Sequence, residues 1–283
     1  MLATNIINGL VYGALLAIVA SGLALIYGLR RVVNFAHGSL YMLGAYIGYT
    51  VAIHAGFWVA LIAAPLAMFL IGVLLDRYGL RLLRDYDPLS VILITFGLLL
   101  ILEDVVQSVW GKGNLSLAAP DLLNHSLHLA GMTLPAYRLA VVAVGILVAL
   151  GLSFWLQKTR MGLFVRASST DPDTTAMQGV NTDRLSAFVV GLGTALAGFA
   201  GIVTAPFLSL SPTMGSSVLI DSFMVVVIGG LGSLPGAFLA ALILGQVQTL
   251  GAMYLPQVSA SLPFILMIAI LVWRPAGIAG NRT

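Results

Sequence analysis

Very few side chains in this sequence are placed to do chemistry. Three acids stand inside long apolar stretches: Glu103, Asp104 and Asp221. Asn34, His37 and Gly38 open another such stretch. An ionisable group at membrane depth is costly, and its default reading is a lining group of a solute path. Glu103 and Asp104 are adjacent, so on a helix they point about 100° apart and only one easily faces a central cavity. Arg138, at the outer start of a later stretch, offers the competing assignment of an outer-rim ion pair. His37 sits among small residues and reads either as a path ligand or as a packed, hydrogen-bonded histidine. Enzyme signatures are missing. There is no GxxxxGK[ST] phosphate loop, no HExxH helix and no GxSxG elbow. The serine of His37-Gly38-Ser39 is a sequence neighbour of the histidine, which is no sign of a catalytic pair. His125 and His128 form a His-x-x-His pair without an assured third ligand, so 111–136 reads as a solvated outer loop, with no metal.

The elements that carry these residues follow from composition. Of 283 residues, 60% are hydrophobic and 8% are charged, and the mean hydropathy is +1.05. Soluble domains carry about 25% charged residues, so the sequence excludes a soluble enzyme and a disordered tail. Cysteine is absent, which removes disulfides and thiolate metal sites. The expected fold class is all-α: a polytopic membrane helix bundle in a single domain over 1–283. Apolar runs fall near 5–28, 34–54, 57–76, 89–110, 137–157, 184–207, 218–230, 235–254 and 259–273. That gives eight or nine spans of about 20 residues, with 218–230 short enough to be a half-helix or a re-entrant piece. With nine spans and the N-terminus outside, Arg30, Arg31, Arg77, Arg81, Arg84, Lys158, Arg160, Arg166, Arg184, Arg274 and Arg282 all face the cytoplasm. Only Lys112 and Arg138 fall outside. One span fewer late in the chain would spoil this bias. No basic residue precedes Arg30, so the first span is expected to be a membrane helix and not a leader.

Small residues recur four apart at Gly9/Gly13, Gly44/Gly48, Ala197/Gly201, Gly229/Ser233 and Gly232/Gly236. Such pairs let helices approach closely where lipid offers no hydrophobic drive, and they read first as packing seams. Pro65, Pro206, Pro235 and Pro263 predict kinks or breaks. A faint echo of Gly38-Ser39-Leu40 in Gly232-Ser233-Leu234 hints at a duplicated architecture. The most charged stretch is 158–184, KTRMGLFVRASSTDPDTTAMQGVNTDR. Thr170 or Asp171 before Pro172 reads as an N-cap, Asp173 falls in the first turn, and Gly179 reads as a C-terminal stop. A short cytoplasmic helix is expected there. On these grounds alone it is either a solvated loop or a docking element.

Together, the motifs resemble one family. Residues 33–46, VNFAHGSLYMLGAY, closely resemble the N-F-A-H-G…G-A-Y signature of branched-chain amino acid (Liv-type) ABC transporter permeases. The cytoplasmic stretch resembles that family's coupling loop at Arg166-Ala167, Ala176, Gly179-Val180-Asn181 and Ala187-Phe188. An A-G-x-A-G run follows as Ala197-Gly198-Phe199-Ala200-Gly201, and a glycine turn as Gly229-Gly230-Leu231-Gly232-Ser233 with Gly236. Residues 168–173, SSTDPD, depart from the more usual acidic and alkyl residues and read as tuning the fit to a particular ATPase. The resemblance implies the shorter permease subunit of an importer in a bacterial inner membrane, with its C-terminus cytoplasmic. A longer paralogous permease, two ATPase subunits and a periplasmic binding protein are the implied partners, with no nucleic acid. ATP and Mg would sit in the ATPases and no cofactor in this chain. The implied coupling residues are Arg166, Ala167, Asp171, Ala176, Gly179 and Asn181. Asn34, His37, Gly38, Glu103 and Asp104 are the candidate path residues. Members of the family carry branched-chain and other amino acids, urea, short amides or aromatic acids. A stand-alone secondary transporter or channel is the alternative, with Glu103 as its tempting coupling acid.

Overall fold

A computed structural model describes residues 2–83, 86–129 and 132–280, with the side chains of 127–133 excepted. Arg84 and Arg282, two of the basic residues counted above, lie outside the described residues, as does the side chain of His128. Nine helices take up the nine apolar runs: α1 (Leu2–Arg30), α2 (His37–Ala55), α3 (Phe57–Leu75), α4 (Pro88–Trp110), α5 (Ala136–Lys158), α8 (Thr182–Thr204), α9 (Met214–Gly229), α10 (Leu234–Tyr254) and α11 (Leu262–Trp273). Two further helices, α6 (Arg160–Thr170) and α7 (Pro172–Met177), form the polar stretch between α5 and α8. α3 runs on through a π-helical turn, Asp76–Leu80. Six of the helices are long and apolar enough to cross a membrane. α9, at 16 residues, rises only about 24 Å, short of the ~30 Å hydrocarbon core. Irregular backbone, with Leu210 and Pro212 buried, leads into it from the end of α8.

α1 is the axis of the bundle. Every residue from Gly13 to Ile26 is buried. A helix apolar and buried on all sides belongs at the centre of a membrane protein. It packs on α10, α8, α5 and α9, while α8 packs in turn on α2 and α3. The small-residue pairs mark these seams. A Cβ on Gly13 would lie 2.9 Å from the Leu242 Cα, and one on Gly44 only 2.3 Å from the Gly198 Cα. By contrast, α4, α5 and α11 turn large apolar side chains outward, among them Leu93, Leu100, Leu147, Phe154 and Val272.

Two features differ from the sequence reading. The second span does not start at the inner surface. His37, the first residue of α2, is fully buried with Nε2 3.1 Å from the Val19 carbonyl. Val19 lies eleven residues before Arg30 in α1, which puts it roughly 16 Å above that end. Residues 31–36 therefore climb back into the bundle as irregular chain, which is tolerated because protein covers it. The loop between α4 and α5 also holds a small antiparallel ribbon, β1 (Ser126–Leu129) with β2 (Met132–Pro135), and Leu115 bridges Leu210.

Candidate functional site

The polar stretch after α5 is built as a bracket. Thr159 caps α6, its hydroxyl accepting from the Gly162 amide at 3.0 Å. Gly162 then lies so close to α5 that a Cβ would fall 2.3 Å from the Leu156 carbonyl oxygen. α6 is thereby folded back on the end of α5, and Arg166 donates to the Leu156 carbonyl. Asp171 caps α7 as expected, accepting from the amides of Asp173 (3.1 Å) and Thr174 (3.0 Å), with Pro172 at the first turn. The Thr174 hydroxyl and amide, followed by the Asp173 amide, hold the Asp171 carboxyl below its ordinary value. The cap therefore stays charged throughout the neutral range. Gly179 takes φ +84°, a left-handed conformation that ends the turn. Asn181 caps α8 by accepting from the Arg184 amide at 2.9 Å.

This bracket displays some of the sequence-chosen residues and uses others internally. Arg166, Ala167, Ala176 and Gly179 are exposed, and Asp171 and Asn181 spend their side chains on caps. The tip is apolar: Met177 is 84% exposed. α6 itself went unrecognised in the sequence, although Thr159 three residues before Gly162 is a cap signal of the same kind as Asp171. Also unforeseen was the tie to α1. Arg31, a non-glycine residue at φ +53°, ends α1 and donates to the carbonyl oxygens of Ser169 (3.0 Å) and Thr170 (3.4 Å). Beneath it, Arg30 and Asp76 form a buried ion pair at 2.6 Å, and the Ser186 hydroxyl donates to the same carboxylate oxygen at 3.0 Å. Arg81 pairs with Asp183. Reading Arg30, Arg31 and Arg81 only as topology markers hid these links. The acids that answer them, Asp76 and Asp183, were the available signal.

The candidate path residues do not form one group. Asn34, His37 and Gly38 belong to the mid-bundle break. The Asn34 Oδ1 accepts from the Ala36 amide at 3.0 Å, while Asn34 Nδ2 and His37 Nδ1 are buried without hydrogen-bond partners among the described residues. Gly38 is pressed against the first turn of α9, where a Cβ would lie 2.1 Å from the Gly215 carbonyl oxygen. Glu103 reaches that same turn, accepting from the Ser216 hydroxyl at 2.5 Å. Asp104 points elsewhere and is exposed, as the 100° separation requires. The outer-rim ion pair with Arg138 is not formed. Arg138 donates to Asn8 and lies 5.2 Å over the Phe207 ring. Asp221 instead holds two hydrogen bonds, from the Tyr12 hydroxyl at 2.6 Å and from Gln248 Nε2 at 2.9 Å.

Such an arrangement has an exposed bracket tied to the end of the central α1, where irregular chain climbs back to α2, and no cluster of groups for bond-breaking chemistry among the described residues. Comparison with known proteins agrees. A family model for the permease component of branched-chain amino acid transport systems matches residues 5–271. The high-affinity branched-chain amino acid transport system permease protein LivH of Escherichia coli K12 is 29% identical, over 97% of this chain and 94% of its own. BraD of Pseudomonas aeruginosa, of the same description, is 29% identical over 98% of this chain and 95% of its own. A probable LivH of Methanocaldococcus jannaschii is 26% identical over 96% and 91%. No solved structure matches the chain. Nine helices, the glycine seams and full-length similarity to transport permeases lead to one assignment: the chain belongs to the branched-chain amino acid transport system permease family, as a multi-pass membrane transport subunit and not an enzyme.

Proposed function

We propose that this chain is the shorter permease subunit of an ATP-driven importer for branched-chain or closely related amino acids. A longer paralogous permease completes the membrane part. A binding protein delivers solute at the outer face, and two ATPase subunits, holding ATP and Mg, dock beneath. The membrane is the bacterial inner membrane, with the N-terminus outside and the C-terminus cytoplasmic. The Arg30–Asp76 and Arg81–Asp183 pairs, with the Arg31 bonds to Ser169 and Thr170, bring the basic ends of α1, α3, α6 and α8 together, which supports that orientation. The relatives' names supply the solute class.

The observation that carries the reading is the α6–α7 bracket. A capped six-residue helix with an 84% exposed methionine at its tip is a costly object to leave in water. It fits a groove on a partner. Arg166, Ala167, Ala176 and Gly179 would meet the ATPase, and Asp171 and Asn181 would hold the shape. Because the sequence has no cysteine, Met177→Cys gives a unique thiol. In membranes from the native host, a thiol-directed photo-crosslinker on that residue should capture an ATPase subunit. Gentle extraction should recover the second permease with it. Recovery of the chain alone, still able to move solute into liposomes without ATP, would replace this reading with a self-sufficient transporter or channel.

A further inference from the structure

Two acids at membrane depth, Glu103 and Asp221, meet neutral donors and no cation among the described residues, and Asp221 is the one held from two neighbouring helices. Its carboxylate accepts from two neutral donors, Tyr12 on α1 and Gln248 on α10. A carboxylate offers about four acceptor positions, so the two bonds leave capacity unused. The ion pairs among the described residues are Arg30–Asp76 and Arg81–Asp183. Neither supplies a cation to Asp221. The two donors meet different carboxylate oxygens, Tyr12 at Oδ2 and Gln248 at Oδ1, and a carboxylate held this way with no cation carries an uncompensated desolvation cost.

A cavity stands beside it. Between α1, α2 and α9, in the outer half of the bundle, lies a space of about 120 Å³ walled by Leu15, Val19, Met214 and Val218. Tyr12, whose hydroxyl holds Asp221, lines the same space, and so does Ser217. Asp221 follows Val218 by three residues and Ser217 by four, so it continues that face of α9 one turn further in. Asp221 stands just beyond this largely apolar lining and reaches it through Tyr12, and a cavity of that kind with a carboxylate next to it suits a ligand with a short branched apolar tail and a cationic head. Building on the amino-acid importer reading above, we infer that Asp221 receives the α-ammonium of the solute in transit, oriented by Tyr12 and Gln248, while the α1–α9 cavity takes its aliphatic side chain.

The test uses the assembled transporter in liposomes, supplied with binding protein already loaded with leucine. Asp221→Asn keeps the size and the hydrogen-bonding reach but removes the charge. Leucine uptake should fall about tenfold or more, the scale of losing a hydrogen bond to a charged group, and should fall further than ATP hydrolysis does. Uptake equal to wild type would overturn the assignment. Should the variant fail to assemble, the wild-type complex decides. 3-Methylbutylamine, which keeps the tail and the ammonium, should block release of leucine from the loaded binding protein into the liposome. 4-Methylpentanoate, which keeps the tail and the carboxylate, should not. Equal effects, no effect of either, or a stronger block by the acid would each overturn it. Failure of the wild-type complex to move any amino acid would instead sink the importer reading on which the inference rests.

Discussion

The more buried of the two ion pairs among the described residues ties together the basic ends of α1, α3 and α8. Asp76 is 1% exposed, and its partner Arg30 is 13% exposed. The Ser186 hydroxyl donates to the same carboxylate oxygen that meets the guanidinium, so α1, the end of α3 and α8 share one carboxylate. The net worth of a buried pair against an apolar replacement is small, but removing one partner leaves a buried charge unanswered. Asp76→Ala should therefore destabilise the subunit by about 3 kcal/mol. The double change Asp76→Ala with Arg30→Met should recover most of that loss. Thermal unfolding of the detergent-solubilised complex reads both. If the double variant unfolds no later than the single one, the pair is not what fixes the three helices. Asp183 with Arg81 is a different case. Both side chains there are well exposed, at 36% and 48%, and such pairs contribute little.

At the scale of elements, stability lies in the glycine seams. α2 and α8 cross where a Cβ on Gly44 would sit 2.3 Å from the Gly198 Cα, and one on Gly198 would meet the Met68 side chain at 2.5 Å. The backbone of α8 cannot rotate out of the way as a side chain would. Gly44→Ala should thus cost about 1–3 kcal/mol as the helices are forced apart. Gly97→Ala and Gly151→Ala, on helices α4 and α5 with nothing near the added methyl, should be neutral or stabilising through helix propensity. A lower melting temperature for the first and not for the other two is the expected pattern. Equal effects would mean that the crossing tolerates separation. These seams were legible in the sequence because the reason for a small-xxx-small repeat is local and periodic. The nine helices were legible for the same reason, each being an apolar run closed by charge. So was the α7 cap, where Asp171, Pro172 and Gly179 each act on their own backbone. The start of α2 was not. Nothing in V-N-F-A-H says whether the chain enters from the surface or from the middle of the bundle. That depends on the Val19 carbonyl and on space left by Gly22, whose Cβ would fall 3.2 Å from the His37 ring. The partnership of Asp221 with Tyr12, 209 residues away, is equally non-local.

For the molecule as a whole, the question is how a bracket at one end could act on a solute path in the middle. Force needs a continuous connection between two elements that each have more than one arrangement. One such connection runs through Arg31. Its guanidinium grips the last carbonyls of α6, next to the cap of α7. Its backbone, at φ +53°, is the point where α1 stops and the chain turns back toward His37. From His37 the contacts pass to Val19 in α1, and from Gly38 to Gly215 at the start of α9. A displaced α6–α7 bracket would thus pull first on the irregular segment 31–36 and the start of α2, where the buried Asn34 Nδ2 and His37 Nδ1 have no hydrogen-bond partners among the described residues. That segment costs least to rearrange, since no helical ladder must break. Two variants separate grip from backbone strain. Arg31→Gly removes the side chain and relieves the left-handed conformation, which costs a non-glycine residue about 1 kcal/mol. Arg31→Lys keeps a charge that can still reach a carbonyl. In the reconstituted transporter, Arg31→Gly should unfold no earlier than wild type yet import several-fold less solute per ATP hydrolysed. Arg31→Lys should restore part of that ratio. A purely structural role would instead lower import and hydrolysis together. An unchanged ratio in Arg31→Gly would remove Arg31 from any route between the bracket and the bundle.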